Sequence, residues 1–330
     1  MRLGFKLLLV LGFLLMSICI TEVGLRLVGI RPIVERLTTY KFHSTLGWVP
    51  RNSFAYRRNT SYYDHWNFYD SDGLPTTADG LYRKLDADKI SLALIGDSFA
   101  EGYYLPYEDS IAGILGKLLT DKQIINLGVS GYAPDQYYLR ARDTLRSFKV
   151  SHAAILFFPY NDIDGVHRAI YGKSQKPLFT EPYGEPVNTP LYDTRKTNPP
   201  GKILTIFRRT AIYTVVSHFR EYLYKPDYYN KSDMAFSMSF MKRLNDEYPH
   251  TSFTVYYIPR IEEQKSAVNK ENVKIFLEIC ADYQLNCVPI VFQGPEQLDL
   301  HYIQGDGHFS KFGSEKVAKL IADTIYIDGD

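Results

Sequence analysis

Four short clusters carry residue types suited to acyl transfer. In "LALIGDSFAEG" an apolar run stops on Gly96-Asp97-Ser98. A serine at a strand-to-helix turn exposes its hydroxyl and aims its backbone N–H at an anion. An ordinary Asp or Ser helix cap would read the same way. "NLGVSGYAPD" is turn-rich, with Asn126, Gly128 and Gly131 letting a backbone N–H approach a ligand. A tight strand-to-helix turn explains it as well. "FFPYNDID" places Asn161 at the end of an apolar run with its amide free to donate, where Asn and Asp are also favoured as turn formers. "LHYIQGDGHFSKFGSEKVA" puts Asp306 and His308 on one glycine-rich loop. A histidine acting as a base needs a carboxylate to fix its tautomer; a capping Asp beside a surface His is the plainer reading. Asp299-Leu300-His301 repeats the spacing without a glycine-rich frame and ranks lower. A Gly-Asp-Ser triplet arises by chance in about one chain in ten of this length, so no cluster decides alone.

What unites them is the elements that precede them. "SLALIG", "QIINLG" and "HAAILFF" read as strands, the last of the kind buried on both faces. "SFTVYYI" and "NCVPI" read as the fourth and fifth. Between them lie helical patterns. "EDSIAGILGKLL" spaces Ile111, Ile114, Leu115 and Leu118 at i, i+3, i+4, i+7, and "PDQYYLRARDTLRSF" opens on Pro134. A helix is expected over 268–284, and "KFGSEKVAKLIADTI" closes the chain with Val317, Leu320 and Ile321 inward. Such alternation implies a parallel sheet covered by helices. Ligands of such sheets bind beyond the carboxyl ends of the strands, where the clusters fall.

Bulk properties narrow the classes. The chain has 330 residues, 45% of them hydrophobic, room for one large α/β domain plus an extension. A formal net charge of +1 removes any global case for a nucleic-acid partner. Aromatic content of 15%, with 27 tyrosines, suits a carbohydrate-facing groove and a wet interface equally. Cys19, Cys280 and Cys287 offer no zinc spacing, and no metal or cofactor is expected. Cys280 and Cys287 could bridge a helix end to the next strand in an oxidising compartment, or stay as two buried thiols.

Residues 1–30 read as a signal anchor or signal peptide. Arg2 and Lys6 precede fourteen uncharged residues, Leu7 to Ile20, and apolar character continues through "VGLRLVGI". No clear small-residue cleavage site follows, which favours an uncleaved anchor with its N-terminus in the cytoplasm and the body outside; a soluble buried helix is the remaining reading. Residues 31–89 form a loop-rich lead-in packing on the core, and 90–330 the main domain. Within it, 163–235 breaks the strand–helix rhythm, first Pro-rich and then helical, and is the candidate lid or substrate-shaping insertion. Asn59 and Asn230 open glycosylation sequons that matter only in a glycosylating host.

The four clusters, in this order, resemble the SGNH/GDSL hydrolase family across about residues 90–325. "GDSFAEG" looks like its first block, "NLGVSG" its second, "PYND" its third and "DGHFSKFG" its last. "STLGWVP" and the N-terminal hydrophobic segment look like those of membrane-anchored bacterial members. The resemblance implies a flavodoxin-like three-layer α/β/α fold with a parallel five-stranded sheet. It implies Ser98 as nucleophile, His308 as general base and Asp306 orienting it, with Ser98 N–H, Gly131 N–H and the Asn161 side chain as oxyanion donors. The function it implies is a serine esterase cleaving O-acyl esters of small molecules or envelope glycans. An O-acyltransferase using the same residues and a non-catalytic envelope binding protein are the alternatives. Two departures stand out. Pro159 replaces the glycine of the third block, and the last block reads D-x-H where D-x-x-H is common. Polysaccharide-acetylating relatives use the closer spacing, so it bears on substrate class.

Overall fold

A computed structural model describes residues 2–32, 39–60, 62–82, 84–89, 91–172, 174–194, 206–222, 228–266, 268–292 and 298–327. Parts of the 163–235 insertion, 195–205 and 223–227, lie outside the described residues. The chain divides into two compact units.

The larger unit holds residues 38–57, 65–198 and 226–330. The lead-in opens it with more regular structure than its sequence suggests. β1 (Tyr40–His43) and β2 (Gly47–Pro50) form an antiparallel hairpin. β3 (Phe54–Asn59), β4 (Asp64–Tyr69) and β5 (Pro75–Thr76) form a three-stranded sheet. These strands run two to six residues between turns, too short for an alternating pattern to stand out.

The core sheet contains β6 (Ser91–Gly96), β7 (Gln123–Asn126), β8 (Val150–Phe157), β11 (Ser252–Tyr257) and β12 (Asn286–Pro289). Its order is β12-β11-β8-β6-β7, and every pairing is parallel. Counting only core strands, this is the 2-1-3-4-5 flavodoxin order, whose topological switch lies between the first and third strands, here β6 and β8. Helices cover both faces, completing three layers. α3 (Ile111–Leu118) packs with the closing helix Lys311–Ile327, and α4 (Pro134–Leu145) with the helices Lys231–Glu247 and, through it, Val268–Tyr283. Ala93, Ile95, Ile125, Ile155, Phe157, Val255 and Tyr257 alternate onto the α4 face and join Tyr137, Met234, Met238 and Phe276 in one buried cluster. One expected inward residue is not inward. Leu118 is exposed and Leu119 is buried, because α3 stops at Leu118 and the non-helical Leu119 turns back into the protein. A disulfide joins Cys280, near the end of Val268–Tyr283, to Cys287 in β12. In the insertion, β9 (Ile170–Tyr171) and β10 (Ser174–Gln175) form a small hairpin.

The smaller unit holds 1–37, 58–64 and 199–225. Its main element is α1 (Arg2–Leu27), of which Gly4–Leu27 is long and apolar enough to cross a membrane and has none of its window buried. The helix Ala211–Tyr222 packs beside it.

Candidate active site

β6 ends where Gly96 meets α2 (Ser98–Glu101). A Cβ on Gly96 would sit 2.9 Å from the Ala100 Cβ and 3.0 Å from the Leu156 carbonyl oxygen, so only glycine lets the chain bend here. Asp97 is the helix cap: it is fully buried, and its Oδ1 accepts the Phe99 N–H at 2.9 Å. The cap reading and the nucleophile reading of this triplet therefore concern different residues. Ser98 follows, mostly buried, with Oγ 2.8 Å from His308 Nε2.

His308 sits 210 residues further on, in the loop before the closing helix. Gly305 and Gly307 adopt positive φ there, and the His308 carbonyl accepts the Ile303 N–H, closing a tight turn. Asp306 Oδ1 lies 2.5 Å from His308 Nδ1 and also accepts the His308 backbone N–H at 3.2 Å. Two-residue spacing thus suffices, because one carboxyl oxygen serves both the ring and the backbone. With Nδ1–H donated to the carboxylate, Nε2 is the acceptor facing Ser98 Oγ. Tyr104 stacks on the imidazole at 4.6 Å between centroids and Phe99 tilts against it at 4.9 Å, fixing its plane.

Asn161 comes from α5 (Pro159–Gly165), directly after β8. Pro159 occupies the first turn of this helix, where a missing N–H costs nothing and the fixed φ suits the turn. The departure from the usual glycine is thus a helix start. The Asn161 amide is not wholly free, contrary to the sequence expectation: one Nδ2 hydrogen goes to Asp97 Oδ2 at 2.8 Å. The amide retains its second hydrogen. Burial pushes the Asp97 carboxyl up, while Asn161 and the Phe99 N–H pull it back.

Gly131 has φ +77°, and a Cβ there would lie 2.6 Å from the Tyr171 ring. Among the described residues, neither the Ser98 nor the Gly131 backbone N–H has a hydrogen-bond acceptor in the chain. Two residues that the sequence reading passed over fix this loop. Glu101, fully buried, accepts the Ser130 N–H at 2.6 Å and the hydroxyls of Tyr40 and Tyr69 at 2.7 Å each. Trp48 of β2 donates its indole Nε1–H to the Ser130 carbonyl at 3.0 Å. Because a peptide unit is planar and trans, holding the Ser130 C=O on one side directs the Gly131 N–H to the other. Tyr132 in turn donates its hydroxyl to the Trp48 carbonyl, and Tyr171 stacks on the indole. An acid among small residues in "GDSFAEG" was the available signal for Glu101; nothing local marks Trp48.

Asn126 serves the scaffold: its Nδ2 donates to the Ala100 carbonyl at 2.8 Å, and its Oδ1 accepts the Gly128 N–H. Gly128 has to be glycine, since a Cβ would lie 2.1 Å from the Glu101 nitrogen. Asp299 and His301 do not join the cluster; Asp299 pairs with Lys265 and the buried His301 ring stacks on Phe292 at 4.0 Å. Among the described residues no group of three His, Cys, Asp or Glu is placed to hold a metal ion.

No family model matches the sequence, and no curated protein does. Among solved structures the chain is similar to a lipase/acylhydrolase from Enterococcus faecalis, at 14% identity and a TM-score of 0.41, covering 72% of this chain and 95% of that one. It is similar to a member of the lipolytic protein G-D-S-L family from Veillonella parvula, at 11% identity and TM-score 0.39, covering 70% and 94%. It is also similar to a psychrotrophic esterase from Pseudoalteromonas sp., at 12% identity and TM-score 0.40, covering 72% and 96%.

Proposed function

We propose that this chain is a serine esterase of the SGNH/GDSL type, cleaving O-acyl esters of a small molecule or an envelope glycan through an acyl-serine. The observation that carries the reading is the continuous path Asp306 Oδ1–His308 Nδ1 and His308 Nε2–Ser98 Oγ, at 2.5 and 2.8 Å, with the Ser98 and Gly131 backbone N–H groups lacking an acceptor among the described residues. In this reading His308 takes the Ser98 proton as Oγ attacks the ester carbonyl. The new oxyanion meets Ser98 N–H, Gly131 N–H and the second Asn161 Nδ2 hydrogen. His308 then protonates the leaving alkoxide. A water, activated by the same nitrogen, releases the acyl group and restores Ser98. Asp306 keeps the imidazole in the working tautomer and stabilises it when charged.

The D-x-H spacing, shared with polysaccharide-acetylating members of that family, keeps a sugar hydroxyl as the alternative acceptor; nothing in the sequence separates it from water. On the same reading α1 anchors the chain in a membrane with the catalytic unit outside the cytoplasm, a setting that suits the Cys280–Cys287 disulfide. The test is a fluorophosphonate probe and p-nitrophenyl acetate applied to the detergent-solubilised full chain. Wild type should be labelled and turn over, and Ser98→Ala should do neither. A wild type inert to both reagents overturns the esterase and leaves a binding protein. Faster acyl release with added bare oligosaccharide, and an acylated sugar product, would select the transferase.

A further inference from the structure

The helix Ala211–Tyr222 has no part in this chemistry, yet it is built onto α1. Glu22, five residues before the end of α1, accepts the backbone N–H groups of Ala211 and Ile212 at 3.0 and 3.1 Å, one on each carboxyl oxygen. Arg26 reaches Glu22 at 2.7 Å and the Arg209 carbonyl at 3.3 Å. Thr214 donates its hydroxyl to the Arg31 carbonyl at 2.9 Å. Ala211 and Thr214, fully buried, form the side turned inward. The next side reads Ile212, Val215, Val216, Phe219, an i, i+3, i+4, i+7 apolar stripe. Along that stripe Val216 is 52% exposed and Phe219 64%. Ile206 and Phe207 in the preceding turn are exposed too, as are Ile20, Val23, Leu27 and Val28 of the α1 end.

We infer that Ala211–Tyr222 is a membrane-surface helix, lying in the headgroup region of the bilayer that α1 crosses, its Val215–Val216–Phe219 side in the acyl boundary. The inference rests on the anchor reading of α1. Three features select lipid as the occupant. The exposed stripe continues the exposed apolar shaft of α1, and in a membrane that shaft is covered by acyl chains. The depth agrees. Twenty-four residues span about 36 Å against a hydrocarbon core of about 30 Å, and Glu22 lies only about 7.5 Å inside Leu27. That is the depth at which interfacial helices sit. Charge agrees as well: Arg26, Arg31, Arg208 and Arg209, all exposed or half-exposed, gather at this end and suit the phosphates of anionic headgroups. The contact also bears on α1 itself. The Glu22 carboxylate thus links α1 to a helix 189 residues later.

The test is spin-label accessibility in the full chain, reconstituted in vesicles of phosphatidylethanolamine and phosphatidylglycerol. In a Cys19→Ser background, single cysteines replace Val10, Tyr213, Val215, Val216, Ser217 and Phe219 in turn. Labels at 215, 216 and 219 should collide with oxygen several-fold more than with a water-soluble nickel reagent, those at 213 and 217 should show the reverse, and 10 should read as the bilayer centre. Glu22→Gln should raise nickel access at 216 by a factor of two or more. Water-like access at 215, 216 and 219 with a deep label at 10 overturns the inference and leaves the anchor standing. A water-like label at 10 overturns both. Dipolar broadening at 216 and 219 without oxygen access overturns it in favour of a second copy of this chain.

Discussion

Replacing Trp48 with phenylalanine removes the indole N–H together with part of a buried ring, and the site predicts a large catalytic effect from losing the N–H. The indole N–H holds the Ser130 carbonyl at 3.0 Å, and the Ser130 amide nitrogen is held by Glu101 at 2.6 Å. Rotating the intervening Ser130–Gly131 peptide by half a turn takes Gly131 from φ +77° to about −100°, and glycine accepts both. On the Gly131 side backbone sterics therefore do not choose the orientation; hydrogen bonds do. With Trp48 present the carbonyl is satisfied away from the site. Without it the partly buried carbonyl loses its partner, a penalty of at most about 1–3 kcal/mol. A half-turn would turn it toward the donors proposed for the oxyanion. A bias of about 1–3 kcal/mol toward this self-blocked state leaves a competent fraction of roughly one in six to one in 150. The expected fall in kcat/KM on p-nitrophenyl acetate is the same factor, bounded by the roughly 100- to 1,000-fold cost of losing a donor outright. The second-order rate of fluorophosphonate labelling should fall in parallel, because the P=O oxygen needs the same donors. Phenylalanine keeps an aromatic ring between Tyr132 and Tyr171 but leaves a small cavity, so the melting temperature should fall by a few degrees while the protein stays folded. A Trp48→Phe protein with kcat/KM and labelling within twofold of wild type would show that the indole is core packing and that the peptide is held by something else.

Asp306→Asn should lower kcat by about 1,000- to 10,000-fold through loss of the correct imidazole tautomer, read by ester hydrolysis with the fold checked by circular dichroism; a loss under tenfold would remove Asp306 from the relay. Glu101→Gln keeps the shape but sets an NH₂ or a single acceptor against three donors, so about a tenfold loss of kcat and a melting point several degrees lower are expected. Unchanged activity with a lower melting point would make Glu101 structural only. The Asp162 carboxyl is held well above its ordinary value, by burial first and then by the charge of Asp97. The folded state therefore binds more protons than the unfolded one above about pH 4, and stability falls as pH rises through that window. The urea midpoint of wild type should drop from pH 5 to pH 8 more steeply than that of Asp162→Asn; parallel curves count against it.

How far the sequence reaches into this site depends on where each constraint is written. Each core strand and its helix are local facts, because a buried parallel strand needs a continuous apolar run and its helix needs a stripe at 3.6 spacing. "SLALIG", "HAAILFF" and the 268–284 helix accordingly appear within a residue or two of their expected places. Ser98, Gly131, Asn161 and His308 were legible for a related reason: each lies on a turn at a strand end or before the closing helix, and the sheet order brings β6 and β8 side by side. The distances between them belong to the topology, not to any segment. What stayed hidden is pairwise and long-range. Trp48 meets Ser130 across 82 residues, and Tyr40 meets Glu101 across 61. In sequence Trp48 is one aromatic among many in a lead-in whose strands are too short to announce themselves. Asn161 shows the limit from the other side. Its type and place were readable, but its bond to Asp97 depends on two strand ends meeting at the switch point. That bond ties the helix cap beside Ser98 to the proposed oxyanion donor. Asn161→Ala would thus do two things at once, removing a donor at a cost of about 100- to 1,000-fold in rate and leaving the buried Asp97 carboxylate one hydrogen bond short. If Asn161→Ala lost activity with no fall in melting temperature, the Asp97 bond would carry no structural weight; if it lost stability but kept turnover, Asn161 would be no oxyanion donor.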